Sequence, residues 1–208
     1  MTLHQLPLAS KDKVIIVGAG IGGLASSVRL SHLGYQVNVF EKARNAGGKL
    51  RTITGSTGDI DVGPTVLTLL PIFKKLFKSV GEDIFEHIEL VRQKIIARHW
   101  WPDGTSLDLH DNFEASRDAI LSFSGSNSAH EFEKYFFDTK DLFSCFDVPV
   151  MRNPKPSLLD MNLAVLSNPR ILTKIHPHRS LSSSLKLKFR DYRLQQLFAR
   201  YATYVGGS

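Results

Sequence analysis

With a single cysteine, Cys145, among its 208 residues, the chain can form no internal disulfide and no multi-thiolate zinc site. That usage fits a reducing compartment, and cytoplasm is the default expectation. Long apolar runs are missing as well. No window approaches the roughly 18 to 20 apolar residues that a membrane-spanning helix needs, and the nearest stretch, Leu67 to Phe73, is interrupted by Pro71. The first residues carry no basic start, no apolar stretch of signal length and no small-residue cleavage pattern, so residues 1–12 read as a flexible lead-in rather than a secretory signal.

Acid is scarce in one region. Residues 169–208 hold Arg170, Lys174, Arg179, Lys186, Lys188, Arg190, Arg193 and Arg200 against a single acid, Asp191, a local +7 within a chain of net charge +6. Such a concentration can face the phosphates of a lipid surface, or be a solvated helix face or one that an acidic segment covers. No recognised nucleic-acid motif accompanies it, so no nucleic-acid partner is expected. His176 and His178 flank a proline without a matching carboxylate or cysteine cluster, and no metal site is expected. A nucleophile elbow, a P-loop and a zincin pattern are all lacking, and no catalytic residue stands out.

What is present begins at Lys13-Val14-Ile15-Ile16-Val17, a β-branched run of the kind buried on both faces of a parallel sheet. Gly18-Ala19-Gly20-Ile21-Gly22-Gly23 follows, then Leu24, Ala25, Val28, Leu30 and Leu33 at helical spacing, with Gly34 as the stop. A second strand alternates Val37 and Val39 with polar neighbours and ends at Phe40-Glu41. Strand, glycine turn, helix, strand, acid is the order that makes a glycine pattern specific for a dinucleotide. Gly18 permits the tight turn, Gly20 lets a pyrophosphate approach the backbone, and Gly23 lets the helix lie close to the sheet. The helix N-terminus then attracts the anion. Glu41, 23 positions after Gly18, is placed to accept hydrogen bonds from ribose hydroxyls, and its charge argues against a 2′-phosphate.

That unit alone does not separate a flavin from a nicotinamide. The next stretch, Glu41-Lys42-Ala43-Arg44-Asn45-Ala46-Gly47-Gly48-Lys49-Leu50-Arg51, resembles the second flavin motif of the amine-oxidase and phytoene-desaturase superfamily, with Lys49 where arginine is commoner. Its glycines allow close backbone approach, and Lys49 or Arg51 can neutralise a diphosphate. Asp59-Ile60-Asp61-Val62-Gly63-Pro64-Thr65-Val66-Leu67-Thr68 resembles the segment that carotenoid desaturases place near the flavin ring. Together with Arg98-His99-Trp100-Trp101-Pro102-Asp103-Gly104 and Arg200 to Ser208, these segments look most like the branch acting on hydroxylated or methoxylated acyclic carotenoids. The likeness spans nearly all of residues 12–208. It implies FAD as cofactor, a hydrophobic carotenoid as substrate and dehydrogenation of a carbon–carbon bond. It implies cofactor contacts at Gly18, Ala19, Gly20, Ile21, Gly22, Gly23, Glu41, Lys42, Gly47, Gly48, Lys49, Arg51, Gly63, Pro64 and Thr65.

The expected fold is α/β: a Rossmann-like FAD-binding βαβ segment at 13–68, then part of an α+β substrate domain at 69–208, left incomplete because a C-terminal half is missing. In that second part the spacing predicts a helix over Thr68 to Val80 and a hairpin over Ile95 to Leu109. A helical region from Asp111 is capped at Asn127 or Ser128 with Glu131 in capping-box position, and helices follow over Leu158 to Ile175 and Leu181 to Tyr204. The phenylalanines of these helices fit a core better than a substrate tunnel, and Trp100 and Trp101 are candidates for strand packing before polyene stacking. A water-insoluble substrate must be collected from a bilayer, so the protein is expected to be cytoplasmic with peripheral contact to an anionic membrane at the inner face, through Leu185-Lys186-Leu187-Lys188-Phe189-Arg190. Three functions stay open: part of an FAD-dependent carotenoid desaturase, a non-catalytic nucleotide-binding remnant of one, or an NAD-dependent dehydrogenase sharing only the first motif.

Overall fold

Val14, Ile16, Val37 and Val39 give the first two strands their pairing. In the computed structural model, which describes residues 12–64 and 67–205, β1 (Lys13–Val17) and β2 (Gln36–Phe40) run parallel in the register Val14 to Val37 and Ile16 to Val39. The crossover between these parallel strands contains α1 (Ile21–His32). Gly34, at φ 89°, ends the helix with its N–H donating to the Ser31 carbonyl. The lead-in 1–11 and Thr65-Val66 lie outside the described residues.

The chain divides into two units, Met1–Val91 and Arg92–Ser208. The first unit adds a hairpin that the sequence pattern did not single out, β3 (Thr52–Gly55) and β4 (Gly58–Asp61), antiparallel with Ile53 opposite Ile60. It also contains α2 (Leu70–Lys78), inside the expected 68–80 helix. Its buried apolar side chains are few: Ala19 and Ile84 among the described residues. β1 is apolar on both faces, as a central strand should be, yet Val17 is 86% exposed, and β2 is the one strand that borders β1 among the described residues.

The second unit carries a substantial core. β5 (Ile95–Trp100) and β6 (Ser106–His110) form the expected hairpin, turning at Gly104 with φ 82°. Leu107 and Leu109 of β6 are buried with Ile120, Phe132, Leu194 and Phe198. Trp101 belongs to this core, its indole N–H donating to Gln196 Oε1 at 3.0 Å, whereas Trp100 faces outward. The phenylalanines pack on one another as core: Phe132 and Phe189 each stack on Phe198, at 6.0 and 5.0 Å between centroids.

The helical reading needs three corrections. α3 runs from Phe113 to Phe146 and is capped by Asn112, whose side chain accepts from the Ala115 N–H; Gly125 breaks it with non-helical φ 86° and ψ 177°. The sequence signals at Asn127 and Ser128 thus sit just after the non-helical Gly125, in the first residues of the second of two helices that run on from one another. Glu131 makes no capping box; it accepts from the Arg190 N–H and pairs with that guanidinium. The 158–175 stretch is α4 (Leu158–Ser167), closed by a Ser157–Asp160 capping box, followed by a tight turn over Pro169–Thr173. The 181–204 stretch is split into α5 (Leu181–Lys188) and α6 (Tyr192–Ala199), because Phe189 turns extended to enter the core and Asp191 caps α6.

Candidate functional site

The end of β1 feeds directly into the glycine turn. Gly18 has φ 99°, a conformation that L side chains rarely adopt, and its N–H donates to the Phe40 carbonyl at 2.7 Å, tying the end of β1 to the end of β2. Gly20 is the N-cap of α1, and the first intrahelical bond runs from Leu24 N–H to Gly20 C=O at 2.9 Å. The N–H groups of Ile21, Gly22 and Gly23 precede that bond and belong to the unsatisfied first turn, which favours an anion. A Cβ on Gly23 would stand 2.0 Å from the Gly18 carbonyl oxygen, so only glycine permits this helix-to-strand approach. Over Gly18 and Gly22 a Cβ would meet nothing within 4 Å. One face of the turn is closed against the sheet and the other is open.

The second glycine pair is brought onto the first. Gly47 donates its N–H to the Ala19 carbonyl at 2.8 Å, and a Cβ on Gly48 would lie 3.0 Å from the Gly20 Cα. Gly63 backs onto the same loop, where a Cβ would meet the Lys49 carbonyl oxygen at 2.0 Å. Three segments far apart in sequence therefore meet through positions with no side chain.

Glu41 completes the junction. Its Oε2 accepts from the Ala19 N–H at 2.7 Å and its Oε1 from the Ala43 N–H at 2.8 Å. These backbone bonds, Ala43 first and then Ala19, hold its carboxyl below the usual glutamate value. The carboxylate expected to meet a ribose thus also organises the loop.

Two adjoining cavities flank the glycine junction. One, about 690 Å³, is lined by Arg44, Asn45, Gly48, Arg51, Asp61 and Gly63 among others. The other, about 650 Å³, is more apolar and is lined by Gly20, Ile21, Lys49, Leu67, Thr68 and Phe73 among others; Gly48, Leu50 and Pro64 border both. Cations thus stand on each side, Arg44 and Arg51 in one cavity and Lys49 in the other. Of the expected contact residues, Gly18, Ala19, Gly22, Gly23, Glu41 and Lys42 line neither cavity, and Thr65 lies outside the described residues. Arg44, Asp61, Leu67 and Phe73 join the site without having been singled out; Arg44 lay within the quoted motif, whereas Phe73 could be read only as one apolar position of a helix.

The domain family described as NAD(P)-binding Rossmann-like matches residues 16–81, the stretch containing both glycine loops and both cavities. Hydroxyneurosporene desaturase of Cereibacter sphaeroides is 42% identical over 94% of this chain, and that of Rhodobacter capsulatus 38% identical over 96%. The chain is homologous to the carotenoid desaturases. A 1-hydroxycarotenoid 3,4-desaturase from a Flavobacterium shares 33% identity over 94% of this desaturase homologue. The chain spans about 40% of the length of each of these relatives. It carries a Rossmann-like dinucleotide-binding domain within a mixed helix and strand structure. Among the described residues, no helix is long and apolar enough to cross a membrane.

Proposed function

We propose that this chain supplies the dinucleotide half-site of an FAD-dependent oxidoreductase that dehydrogenates carbon–carbon bonds of an acyclic, hydroxylated or methoxylated carotenoid, working as part of a longer enzyme. One observation carries the reading: the Gly47-Gly48 loop is bonded back to back with the Gly18-to-Gly23 turn, leaving an open, cation-bordered face over the start of α1. That cradle fits a dinucleotide diphosphate, because Gly18 and Gly22 leave the space empty where side chains would stand. In this reading the N–H groups of Ile21, Gly22 and Gly23 hold the diphosphate, and Arg44, Lys49 and Arg51 balance its charge. Glu41 fixes the turn while offering its remaining lone pairs to the adenosine ribose. Gly63, Pro64 and Thr65 border the way toward the ring, and Ile21, Leu67 and Phe73 give that end apolar walls.

A bound flavin supplies a two-electron acceptor for hydride removal. The protein's own part is to hold the substrate bond in line and to keep water out. A paired-glycine loop stacked on the first motif favours FAD over NAD, since the first motif alone is sufficient for a nicotinamide dinucleotide. The names of the relatives favour a carotenoid substrate. Such a substrate dissolves in bilayers rather than water, so a peripheral position on an anionic membrane, at the inner face of the cell, belongs to the same reading.

The decisive experiment is the visible spectrum of the purified chain after incubation with FAD and removal of free cofactor. A retained flavin band, lost in Gly20→Val, supports the half-site. A colourless protein points to a remnant without cofactor, and selective stabilisation by NAD rather than FAD would move the chain to the nicotinamide-dependent class.

A further inference from the structure

The basic stretch first considered for membrane contact is largely committed elsewhere. Leu185 and Phe189 are buried in the core, the Lys188 ammonium pairs with Asp138 at 3.1 Å, and Arg190 pairs with Glu131. Of its apolar side chains, Leu187 alone is left exposed. The charge concentration of residues 169–208 is thus partly answered by acids of α3, with Lys174 also joining Asp138 and Asp141.

α4 shows the opposite arrangement. It packs on α3 through its Ala164 side, where the Ala164 carbonyl accepts from Cys145 Sγ, and Ala164 and Val165 are half-buried. Leu159, Leu163 and Leu166, spaced i, i+4 and i+7, share one stripe, and they are 66%, 53% and 72% exposed. The helix therefore presents leucines outward as well as apolar residues inward. Leu158, at its first turn, is exposed too, as are Val148, Met151 and Leu172 in the flanking turns.

The charge around this stripe has one sign. Between residues 148 and 180 the basic residues are Arg152, Lys155, Arg170, Lys174 and Arg179, and the sole acid is Asp160. Asp160 is engaged in the capping box with Ser157, while Arg152 and Lys174 pair with acids outside that window. Lys155, Arg170 and Arg179 form no ion pair among the described residues. An outward leucine stripe flanked in sequence by cations without ion pairs is the composition of a segment that lies in a membrane interface, its apolar side chains below the headgroups and its cations among anionic ones.

We propose that α4, through Leu159, Leu163 and Leu166, with Lys155, Arg170 and Arg179 in the segments that flank it in sequence, is the element that docks this chain on an anionic bilayer. The role rests on the polyene-substrate reading for its purpose, but its test involves no flavin. Loss of vesicle binding with a retained flavin band would overturn the docking and leave the half-site standing, and the reverse result would do the opposite.

The purified full chain is floated with vesicles of phosphatidylcholine containing phosphatidylglycerol, and with phosphatidylcholine alone. Binding is expected to the anionic vesicles, to weaken with salt, and to fall roughly hundredfold in the triple variant Leu159→Ser/Leu163→Ser/Leu166→Ser, since three exposed leucines can no longer enter the bilayer. Leu187→Ser should leave it unchanged. Lys155→Gln/Arg170→Gln/Arg179→Gln should remove the preference for phosphatidylglycerol. No binding at low salt, or equal binding by the triple leucine variant, overturns the proposal. So does a concentration-dependent dimer in the parent that the triple variant abolishes while vesicles recruit neither, because a second copy would then be the occupant. Should the triple variant misfold, an environment-sensitive dye on Leu163→Cys, in a Cys145→Ser background, gives the answer: a blue shift on anionic vesicles supports the docking and an unchanged spectrum refutes it.

Discussion

Glu41, at the end of β2, accepts a hydrogen bond from the backbone N–H of Ala19 at 2.7 Å, across a sequence gap of 22 residues. One carboxylate thereby joins the first glycine turn to the start of the second motif, since its other oxygen takes the Ala43 N–H. The bonds to Ala43 and Ala19 lower its pKa from the ordinary 4.5. A depressed carboxylate contributes above its unfolded pKa and loses that contribution as pH falls through its folded value. Flavin retention by the parent chain is therefore expected to hold at neutral pH and to fall below about pH 4.5. Glu41→Gln should retain less flavin at neutral pH and show a flatter acid limb. An unchanged acid limb in the variant would remove Glu41 from that role.

Gly23 and Gly22 are adjacent yet opposite in what they tolerate. An alanine Cβ at 23 would sit 2.0 Å from the Gly18 carbonyl oxygen, forcing backbone movement at a cost of about 1 to 3 kcal/mol. Both tryptophans, Trp100 and Trp101, lie in the Arg92–Ser208 unit. Gly23→Ala should thus speed amide exchange over β1, α1 and β2 while leaving the urea transition seen by tryptophan fluorescence in place.

Gly22→Ala should do the reverse. It points into open space within a helix, where alanine is favoured over glycine by roughly 1 kcal/mol. The variant is expected to be as stable as the parent or more so, and to bind FAD at least about tenfold more weakly by titration, because the methyl group occupies the space offered to the diphosphate. Stability gained with affinity unchanged would mean that the anion binds elsewhere.

In the other unit, Asp191 fastens α6 to α3. It caps α6, accepts from Ser124 beside the Gly125 kink, and pairs with Arg193 at 2.7 Å, whose guanidinium lies over Phe123, 4.1 Å from the ring centroid. The Arg193 bonds, partly opposed by burial and aided by Ser124, draw its pKa down from 3.8 to about 2. The difference corresponds to about 2 kcal/mol of stability, present above pH 3.8 and lost as pH falls toward 2. Asp191→Asn should lower the unfolding free energy at pH 7 by about that amount, read by tryptophan fluorescence in urea, and the gap to the parent should close in acid.

Much of this was legible in the sequence where local rules govern. β1, β2 and the β5–β6 hairpin occupy the expected stretches because alternation, glycine turns and Pro102-Asp103-Gly104 are local signals. The split at Phe189 was not, since it answers to tertiary packing: Phe189 leaves helical geometry and stacks on Phe198, 5.0 Å away. In the site, the glycine types could be read but not their mutual contact. Nothing local says that Gly48 meets Gly20, or that Arg44 and Arg51 line the same cavity. For the basic excess of residues 169–208 the sequence left a lipid-facing, a solvated and an acid-covered surface open, and Asp138, Asp141 and Glu131 of α3 meet part of it.

The uneven distribution of buried apolar side chains gives the two units different relationships to whatever they bind. Arg92–Ser208 encloses Ile120, Leu185, Leu194 and Phe189 almost completely, whereas Met1–Val91 buries Ala19 and Ile84 among the described residues and leaves Val17 in the open. A domain with so little interior of its own draws a larger share of its folding free energy from its ligand, by mass action. A dinucleotide held by this half-site would then be less a passenger than a part of the scaffold, its occupancy raising the stability of the first unit.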